Sequence, residues 1–432
     1  MLSRKVDLPT GDRGTGPCRV GTQALVRVLQ PRGGMREWAF NTFWMAGFEC
    51  SCQKLRDGRR LDLTAATCHE RWAAADYARL RSVGIGTARE GLDWHRSGTP
   101  SGRLDLSSVL PRVRAARDAG IQVIWDLCHY GWPDDLDIFR PAFVDRFAEW
   151  ARAVAEVVAG ETGEVPIYVP INEISFWSWA GGEVGYLNPF AVDRGFELKA
   201  QLVRAALAAT DAVWSVDPRA RILHVDPIIH IVPDPERPED ALDAEGHRLA
   251  QFQAWDMLCG ELWPQLGGDP RCLGLMGVNY YPNNQWILNG STIERGSPLC
   301  RPFRAMLREA WERYGRPLIV AETGAAGEAR GPWLAHVGDE VRAAQRAGVP
   351  VLGVCLYPIL DYPGWDDERH CEVGLWGYAD EAGERPLYRP LAEELRRQQQ
   401  LSRVSGIQES TRETKDAGAA GPSWEESELA RY

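Results

Sequence analysis

Residues 123–171 contain one complete strand–helix–strand unit. The apolar run VIWDL (123–127) is followed by the stretch RPAFVDRFAEWARAVAEVVAG (140–160) and then by the apolar run IYVPI (167–171). The middle stretch has apolar residues at the i, i+3, i+4 spacing of a helix and stops at Gly160, a residue type that often terminates helices. The flanking runs are almost continuously apolar, as in parallel strands that are buried on both faces. The segment therefore predicts a βαβ unit.

The same alternation of apolar runs and helical patterns extends over most of the chain. The runs are FWMAGF (43–48), IGTARE (85–90), VIWDL (123–127), IYVPI (167–171), ILHVD (222–226), GLMGVNY (274–280), LIVAE (318–322) and VLGVCLY (351–357). Eight such units predict an α/β fold in which the strands close into a single (β/α)₈ TIM barrel. A doubly wound open sheet is the structural alternative. Its nucleotide-binding form is disfavoured because neither glycine-rich phosphate motif follows the first run.

Length and composition agree with one large folded domain. The 432 residues are 44% hydrophobic, enough for a large core. We expect a mobile leader over residues 1–37, a barrel domain over 38–398 and a disordered tail over 399–432, because both ends are rich in small and polar residues. The net charge of −11 disfavours a general nucleic-acid binder.

The cysteine pattern and the hydropathy of the chain indicate in which cellular compartment the protein is expected. The ten cysteines show no metal-binding spacing, the N-terminus has no apolar signal region, and no apolar stretch is long enough to cross a membrane. We therefore predict a cytoplasmic protein with free thiols, no membrane association, no bound metal and no cofactor. The sequence predicts no oligomeric state.

Polar residues follow the predicted strands, where the active sites of such barrels form. Glu173 comes directly after Asn172 at the end of strand 4, and Glu322 ends strand 7. Other polar or aromatic residues near strand ends are Glu49, Arg89, His129, Asn279, Tyr281 and Trp365. A single glutamate at a strand end is more often a solvated loop residue, but this combination across several strands indicates a site.

Two facing carboxyl groups can hydrolyse a glycosidic bond. In the retaining reaction one protonates the leaving oxygen and the other attacks the anomeric carbon, and a second carboxylate nearby helps the acid to keep its proton. Asn172 is suited to bind a sugar hydroxyl and Arg89 to keep a nucleophile ionised. The 18 tryptophans supply aromatic faces for sugar rings.

These positions resemble the retaining (β/α)₈ glycoside hydrolases, and most closely glycoside hydrolase family 1, the β-glucosidase family. The family's T-x-N-E-P motif is similar to Pro170-Ile171-Asn172-Glu173-Ile174, and its T-E-N-G motif to Ala321-Glu322-Thr323-Gly324. Further similarity lies at Cys128-His129-Tyr130-Gly131-Trp132-Pro133, at Gly277-Val278-Asn279-Tyr280-Tyr281 and at residues 357–365. The resemblance covers about residues 41–395.

The resemblance implies a β-glycosidase with Glu173 as acid/base and Glu322 as nucleophile. It also implies that Arg89 and Tyr281 position Glu322, and that the sugar is bound by His129, Asn172 and Trp365. The chain departs from the family at Ile174, Thr323 and Tyr357, where the family has Pro, Asn and Trp. The family's glycone-binding Gln has only the offset candidate Gln53, and Glu49 is nearer the strand end. Glucose or galactose specificity therefore does not carry over.

Two other functions stay open. A degenerate barrel that binds carbohydrate without turnover fits the altered sugar motifs. A metal-dependent hydrolase using His129, His224 and Asp226 is a weaker alternative, because such sites usually begin with H-x-H in strand 1, and FWMAGFE has none.

Overall fold

The computed structural model describes residues 40–98, 104–365 and 369–404. Eight parallel strands form the central barrel, and we number them β1 to β8 in chain order. They are Trp44–Gly47, Thr87–Gly91, Gln122–Asp126, Ile167–Val169, Arg221–Pro227, Leu275–Asn279, Leu318–Thr323 and Val351–Leu356. Each strand pairs with its neighbour in the chain, and β8 pairs with β1, so the sheet is closed.

Helices surround the barrel. They are α1 (Leu63–Ala66), α2 (His69–Ser82), α3 (Val109–Ala119), α4 (Pro141–Glu161), α5 (Ile174–Trp177), α6 (Gly195–Val216), α7 (Ala241–Leu249), α8 (Gln253–Leu258), α9 (Phe303–Tyr314), α10 (Arg330–Arg346) and α11 (Arg389–Val404). A π-helical segment, Ser178–Glu183, follows α5. Two short strand pairs lie outside the barrel, one between His230–Val232 and Gln285–Ile287 and one between Tyr362–Pro363 and His370–Cys371.

Alternation along the strands separates two apolar layers. One set of side chains fills the barrel interior, including Ile124, Val169 and Ile319. The opposite set, including Trp125 and Val320, packs between the strands and the helices. Because both faces of each strand are covered, the strands are almost wholly apolar, which is the pattern that identified them in the sequence.

The predicted barrel is confirmed, and all eight apolar runs overlap the eight barrel strands. The open-sheet alternative is wrong, because hydrogen bonding continues from β8 to β1. The proposed leader (1–37) lies outside the described residues, as does most of the proposed tail (399–432); α11 extends to Val404. Among the described residues, no helix is both long and apolar enough to cross a bilayer.

Candidate active site

Glu173 lies just beyond β4, where the backbone is held by both neighbouring strands. The Asn172 amide donates to the Cys128 carbonyl at 3.0 Å, and the next amide, of Glu173, donates to the Val225 carbonyl at 3.0 Å. Glu173 itself has φ 47° and ψ 59°, in the left-handed region that non-glycine residues rarely adopt. Its carboxylate accepts from Asn279 Nδ2 at 2.8 Å and from the Tyr130 hydroxyl.

Glu322 reaches the same region because β7 contains one extra residue. Val278 of β6 pairs with Val320, but the next residue, Asn279, pairs with Glu322, so Ala321 is the added residue. The β8 side shows the same shift between Val320 and Thr323. Val320 packs on the outer layer, so regular alternation would point residue 322 outward as well. This β-bulge turns the Glu322 side chain toward the inward-facing Asn279.

Arg89 links the ends of three strands. This fully buried guanidinium on β2 donates to Glu322 Oε1 at 2.6 Å and to Asn172 Oδ1 at 2.6 Å. It also forms two hydrogen bonds with the buried Asp126 of β3, at 3.0 and 2.7 Å. The paired geometry of a guanidinium and a carboxylate fixes the orientation of Arg89. Arg89 therefore couples the Glu322 carboxylate to the residue that precedes Glu173.

Tyr281 supplies a second donor to Glu322. Its hydroxyl donates to Glu322 Oε2 at 2.9 Å. Burial, followed by the charges of Glu322, Glu173 and Glu49, raises the pKa of Tyr281 well above its ordinary value. Tyr281 is therefore protonated across the neutral range and acts as a donor.

Burial sets the electrostatics of Glu322. Desolvation raises the pKa of Glu322 to about 7; Arg89 opposes that shift and the nearby Glu173 carboxylate adds to it. Glu322 receives a cationic donor, whereas the donors to Glu173 are a neutral amide and a phenol. Arg89 therefore stabilises the charged form of Glu322 and opposes the effect of burial.

His129 and Asn172 form one wall of the site. Asn172 Nδ2 lies 2.9 Å from His129 Nε2, and His129 Nδ1 lies 3.0 Å from Cys50 Sγ and 3.3 Å from Asp126 Oδ2. Burial lowers the pKa of His129, but the carboxylates Asp126 and Glu49 outweigh it, and the net shift is upward. The Tyr357 ring lies parallel to the His129 ring at 6.2 Å.

Glu49 and Trp365 lie at the edges of the site. One oxygen of Glu49 accepts from the Cys50 amide, the Ser51 amide and the Ser51 hydroxyl, so the side chain is anchored to its own turn. The Trp365 ring packs edge-on against Tyr130 at 5.6 Å. Its indole nitrogen is buried and has no hydrogen-bond partner among the described residues.

Two cavities lie beside this cluster. The larger, of about 320 Å³, is lined by Pro282, Thr292, Ile293, Glu294, Arg295, Ala325, Ala329, Pro332 and Trp333. The smaller, of about 20 Å³, lies behind Tyr357 and Thr323. Neither is lined by Glu173 or Glu322, which are 9% and 5% exposed. The two carboxyl groups are instead enclosed by the side chains that donate to them.

The trio of residues considered for a metal is not brought together. In the described ranges, the group of possible metal ligands is Cys50, Asp126 and His129, and it excludes His224 and Asp226. Asp126 in that group is already paired with Arg89, whose positive charge opposes a cation. His224 lies buried in β5, where desolvation lowers its pKa to about 4.

Sequence reasoning missed several members of the cluster. Asp126 lies inside the run VIWDL, Tyr130 lies in the motif that contains His129, and Cys50 directly follows Glu49. A charged residue within an otherwise apolar parallel strand itself indicates a buried polar contact, because an interior carboxylate needs a partner. Asp126 meets that condition with Arg89.

Comparison with known proteins gives structural matches only. No family model matches the chain, and no curated protein matches its sequence. The family 1 β-glucosidase from Thermotoga maritima superposes with a TM-score of 0.69 at 17% identity, over 85% of this chain and 98% of that one. The β-glucosidase of the same organism in complex with deoxynojirimycin gives 0.68 at 16% identity, over 85% and 99%.

A third structure agrees with these two. The AHE enzyme from Alicyclobacillus herbarius gives a TM-score of 0.68 at 17% identity, over 83% of this chain and 97% of that one. At this identity a structural match establishes the fold and not the activity. The chain therefore has the (β/α)₈ fold of the family 1 β-glucosidases.

Proposed function

We propose that this chain is a retaining β-glycosidase that acts on a β-linked glycoside. One observation carries the proposal: two buried carboxyl groups from the ends of β4 and β7 share a single hydrogen-bonded cluster. Arg89 contacts both Glu322 and Asn172, and Asn279 contacts Glu173 while pairing with Glu322 in the sheet. The fold shared with β-glucosidases supports the same assignment.

The reaction proceeds by double displacement. Glu322 attacks the anomeric carbon while Glu173 gives its proton to the departing oxygen, so the glycosidic bond breaks as the glycosyl–Glu322 ester forms. Glu173, now ionised, then takes a proton from water, whose oxygen attacks the same carbon and releases Glu322. The two inversions leave the β configuration unchanged. No cofactor is required, because the two carboxyl groups supply the nucleophile and both proton transfers.

The surrounding side chains have distinct tasks in this scheme. Arg89 and Tyr281 stabilise the ionised form of Glu322 and orient it, and Asn279 orients Glu173. His129 and Asn172 bind sugar hydroxyls.

Glu49 and Trp365 border the bound sugar. Glu49 is anchored through one oxygen, and its other oxygen accepts a sugar hydroxyl. Trp365 offers an indole N–H that is unpartnered within the described part of the chain. Glu49 lies near the position of the family's glycone-binding Gln, so glucose or galactose specificity does not carry over to this chain.

We also propose that residues 38–398 act as one catalytic domain in the cytoplasm. The cysteines within the described ranges are free thiols, and most of them are buried. Buried unpaired thiols fit a reducing compartment.

A second candidate is a barrel that binds carbohydrate without hydrolysing it. The replacement of the motif residues after both glutamates, by Ile174 and Thr323, favours it. The intact carboxyl pair and its ion-paired arginine favour the enzyme, because a binder has no need of a buried Glu322 held by Arg89.

Hydrolysis of a panel of aryl β-glycosides by the wild type and by Glu322→Ala tests the proposal. We expect turnover by the wild type and a loss of at least 10³-fold in the variant. A 2-deoxy-2-fluoro glycoside should label Glu322, as detected by mass spectrometry of the digested protein, and proton NMR should show the β anomer as first product. Sugar binding without turnover would favour the second candidate, and an α product or a label elsewhere would contradict the mechanism.

A further inference from the structure

Asp226 is a buried carboxyl group in an unusual position on β5, next to the segment that carries the proposed acid/base Glu173. On β5, Leu223 and Val225 point into the barrel interior, so Asp226 lies on the opposite face, toward the helices. It is only 2% exposed. A carboxyl group in the layer between strands and helices requires specific partners, because burying an unpaired charge is strongly unfavourable.

The partners of Asp226 belong to the segment that carries Glu173. Asp226 Oδ1 accepts from the Ser175 amide at 2.9 Å, and Oδ2 lies 3.2 Å from the Ser175 hydroxyl. The preceding residue of β5, Val225, accepts from the Glu173 amide. Two successive residues of β5 therefore hold the chain on both sides of Ile174.

The hydrogen bonds to Val225 and Asp226 hold a residue whose backbone conformation is strained. Glu173 has φ 47°, a conformation that is strained for a non-glycine residue and persists only when its surroundings enforce it. The contacts of Asp226 and Val225 lie within two residues of that strain. Without them, Glu173 would relax toward ordinary helical backbone angles and its carboxyl would leave the cluster.

Charged groups from two other elements face Asp226. They are Glu173, after β4, and Lys199 of α6, which donates to Gln253 at 2.8 Å. Burial raises the pKa of Asp226 to about 8; the hydrogen bond from the Ser175 amide and Lys199 oppose that shift, and Glu173 adds to it. The raised pKa favours the neutral form of Asp226, which lessens its repulsion with the Glu173 carboxyl.

We propose that Asp226 is a positioning residue, which acts from outside the barrel through Ser175 to hold the acid/base Glu173 in its left-handed conformation. This inference rests on the proposed glycosidase function. It predicts a defect confined to the step that needs proton donation, since Asp226 touches neither Glu322 nor the sugar-binding side chains in the described structure.

A leaving-group series tests this role. For Asp226→Ala we expect kcat/KM to fall at least 10-fold on phenyl and alkyl β-glycosides, which require protonation of the departing oxygen. On the 2,4-dinitrophenyl glycoside, which does not, the change should be less than 3-fold. Asp226→Asn, which keeps an acceptor for the Ser175 amide, should show a smaller loss, and so should Ser175→Ala, which removes only the hydroxyl contact.

Asp217→Ala is the matched control. Asp217 is also buried and also accepts from a backbone amide, that of Arg219 at 2.9 Å, but at the end of α6. It should lower the melting temperature without changing the dependence on the leaving group. Equal losses on all leaving groups, or no loss, in Asp226→Ala would overturn the inference while leaving the glycosidase proposal intact, and so would a loss in Asp226→Asn as large as that in Asp226→Ala. Should Asp226→Ala not fold, an equal loss on all leaving groups in Asp226→Asn would overturn it in the same way. A wild type that hydrolyses no glycoside would defeat both.

Discussion

Arg89 and Glu322 form a buried ion pair in which Nη1 lies 2.6 Å from Oε1 and both side chains are almost fully removed from solvent. The same guanidinium is paired with Asp126. One positive charge thus pairs with two buried carboxylates, so the net charge of this buried cluster depends on Arg89. Removing that charge should be far more damaging than removing an arginine from the surface.

Arg89→Met should reduce both stability and catalysis. The change leaves Asp126 and Glu322 buried without their cation, which typically costs about 3–5 kcal/mol. We expect the free energy of unfolding in urea to fall by an amount in that range and kcat/KM to fall at least 100-fold. Arg114→Met is the control, since Arg114 pairs with Glu161 on the surface, where water screens the pair, and its loss should change stability much less. Equal stability losses in the two variants would contradict the assigned role.

Comparing Tyr281→Phe with Tyr280→Phe distinguishes the roles of two adjacent phenol hydroxyls. Tyr281 donates to Glu322, whereas the Tyr280 hydroxyl accepts from Gln285 and its ring stacks on Phe303. A hydrogen bond to a charged group is worth about 1.5–3 kcal/mol, so Tyr281→Phe should lower kcat/KM by about 10- to 100-fold. Tyr280→Phe should change it less than 3-fold. A reversed order of effects in steady-state assays would show that Glu322 is oriented by other groups.

Stability should depend on pH through Glu322. Burial raises the pKa of Glu322 to about 7 in the folded state, above its unfolded value of about 4.5, so the folded protein binds the proton more tightly. The stabilising contribution of the protonated group is complete below about pH 4.5 and is lost as pH rises through about 7.

Glu322→Gln isolates this effect, because glutamine does not titrate. Relative to the variant, the wild type should lose on the order of 3 kcal/mol of its free energy of unfolding between pH 4.5 and pH 8. Denaturant titrations of both proteins at several pH values measure it. A difference that is constant with pH would mean that Glu322 titrates near its ordinary value in the folded chain.

Gly47→Ala should disturb the site from β1. A Cβ at residue 47 would lie 2.1 Å from Tyr357 Cδ2, and Tyr357 is buried beside His129. We expect a loss of about 1–3 kcal/mol in stability, as for other overpacked cores, together with a lower kcat/KM. Gly160→Ala, in α4 with no heavy atom within 4 Å of the new Cβ, should instead stabilise by up to about 1 kcal/mol. Thermal melts of both variants check the contrast.

The barrel could be predicted from the sequence because its signals are local. Each strand is an apolar run with its own boundaries, and helices such as α3 and α9 end at a glycine in the left-handed conformation, Gly120 and Gly315. Burial on both faces suppresses polar residues in the strands, so those that remain at the strand ends stand out. The positions of Glu173 just after β4 and of Glu322 near the end of β7 follow from that pattern; their catalytic roles stay predictions.

The rest of the site depends on pairing between strands, which a sequence pattern does not contain. The direction of Glu322 is set by a register shift against β6 and β8. Asp126 and Asp226 both occupy ordinary strand positions, and only the fold shows that the first faces Arg89 and the second faces Ser175. Glu49 seemed a plain strand-end residue, yet three donors anchor it to its own turn.

The added residue in β7 makes the chemistry sensitive to the length of that strand as well as to its composition. Deleting Ala321 would restore regular alternation with β6 and leave a glutamate opposite Asn279, whereas inserting a further residue would rotate the carboxylate into the helix layer. If this carboxyl pair is transferred to an idealised barrel whose strands have no bulge, the second glutamate must therefore be moved by one position. Copying the residue number alone would produce a well-folded but inert protein.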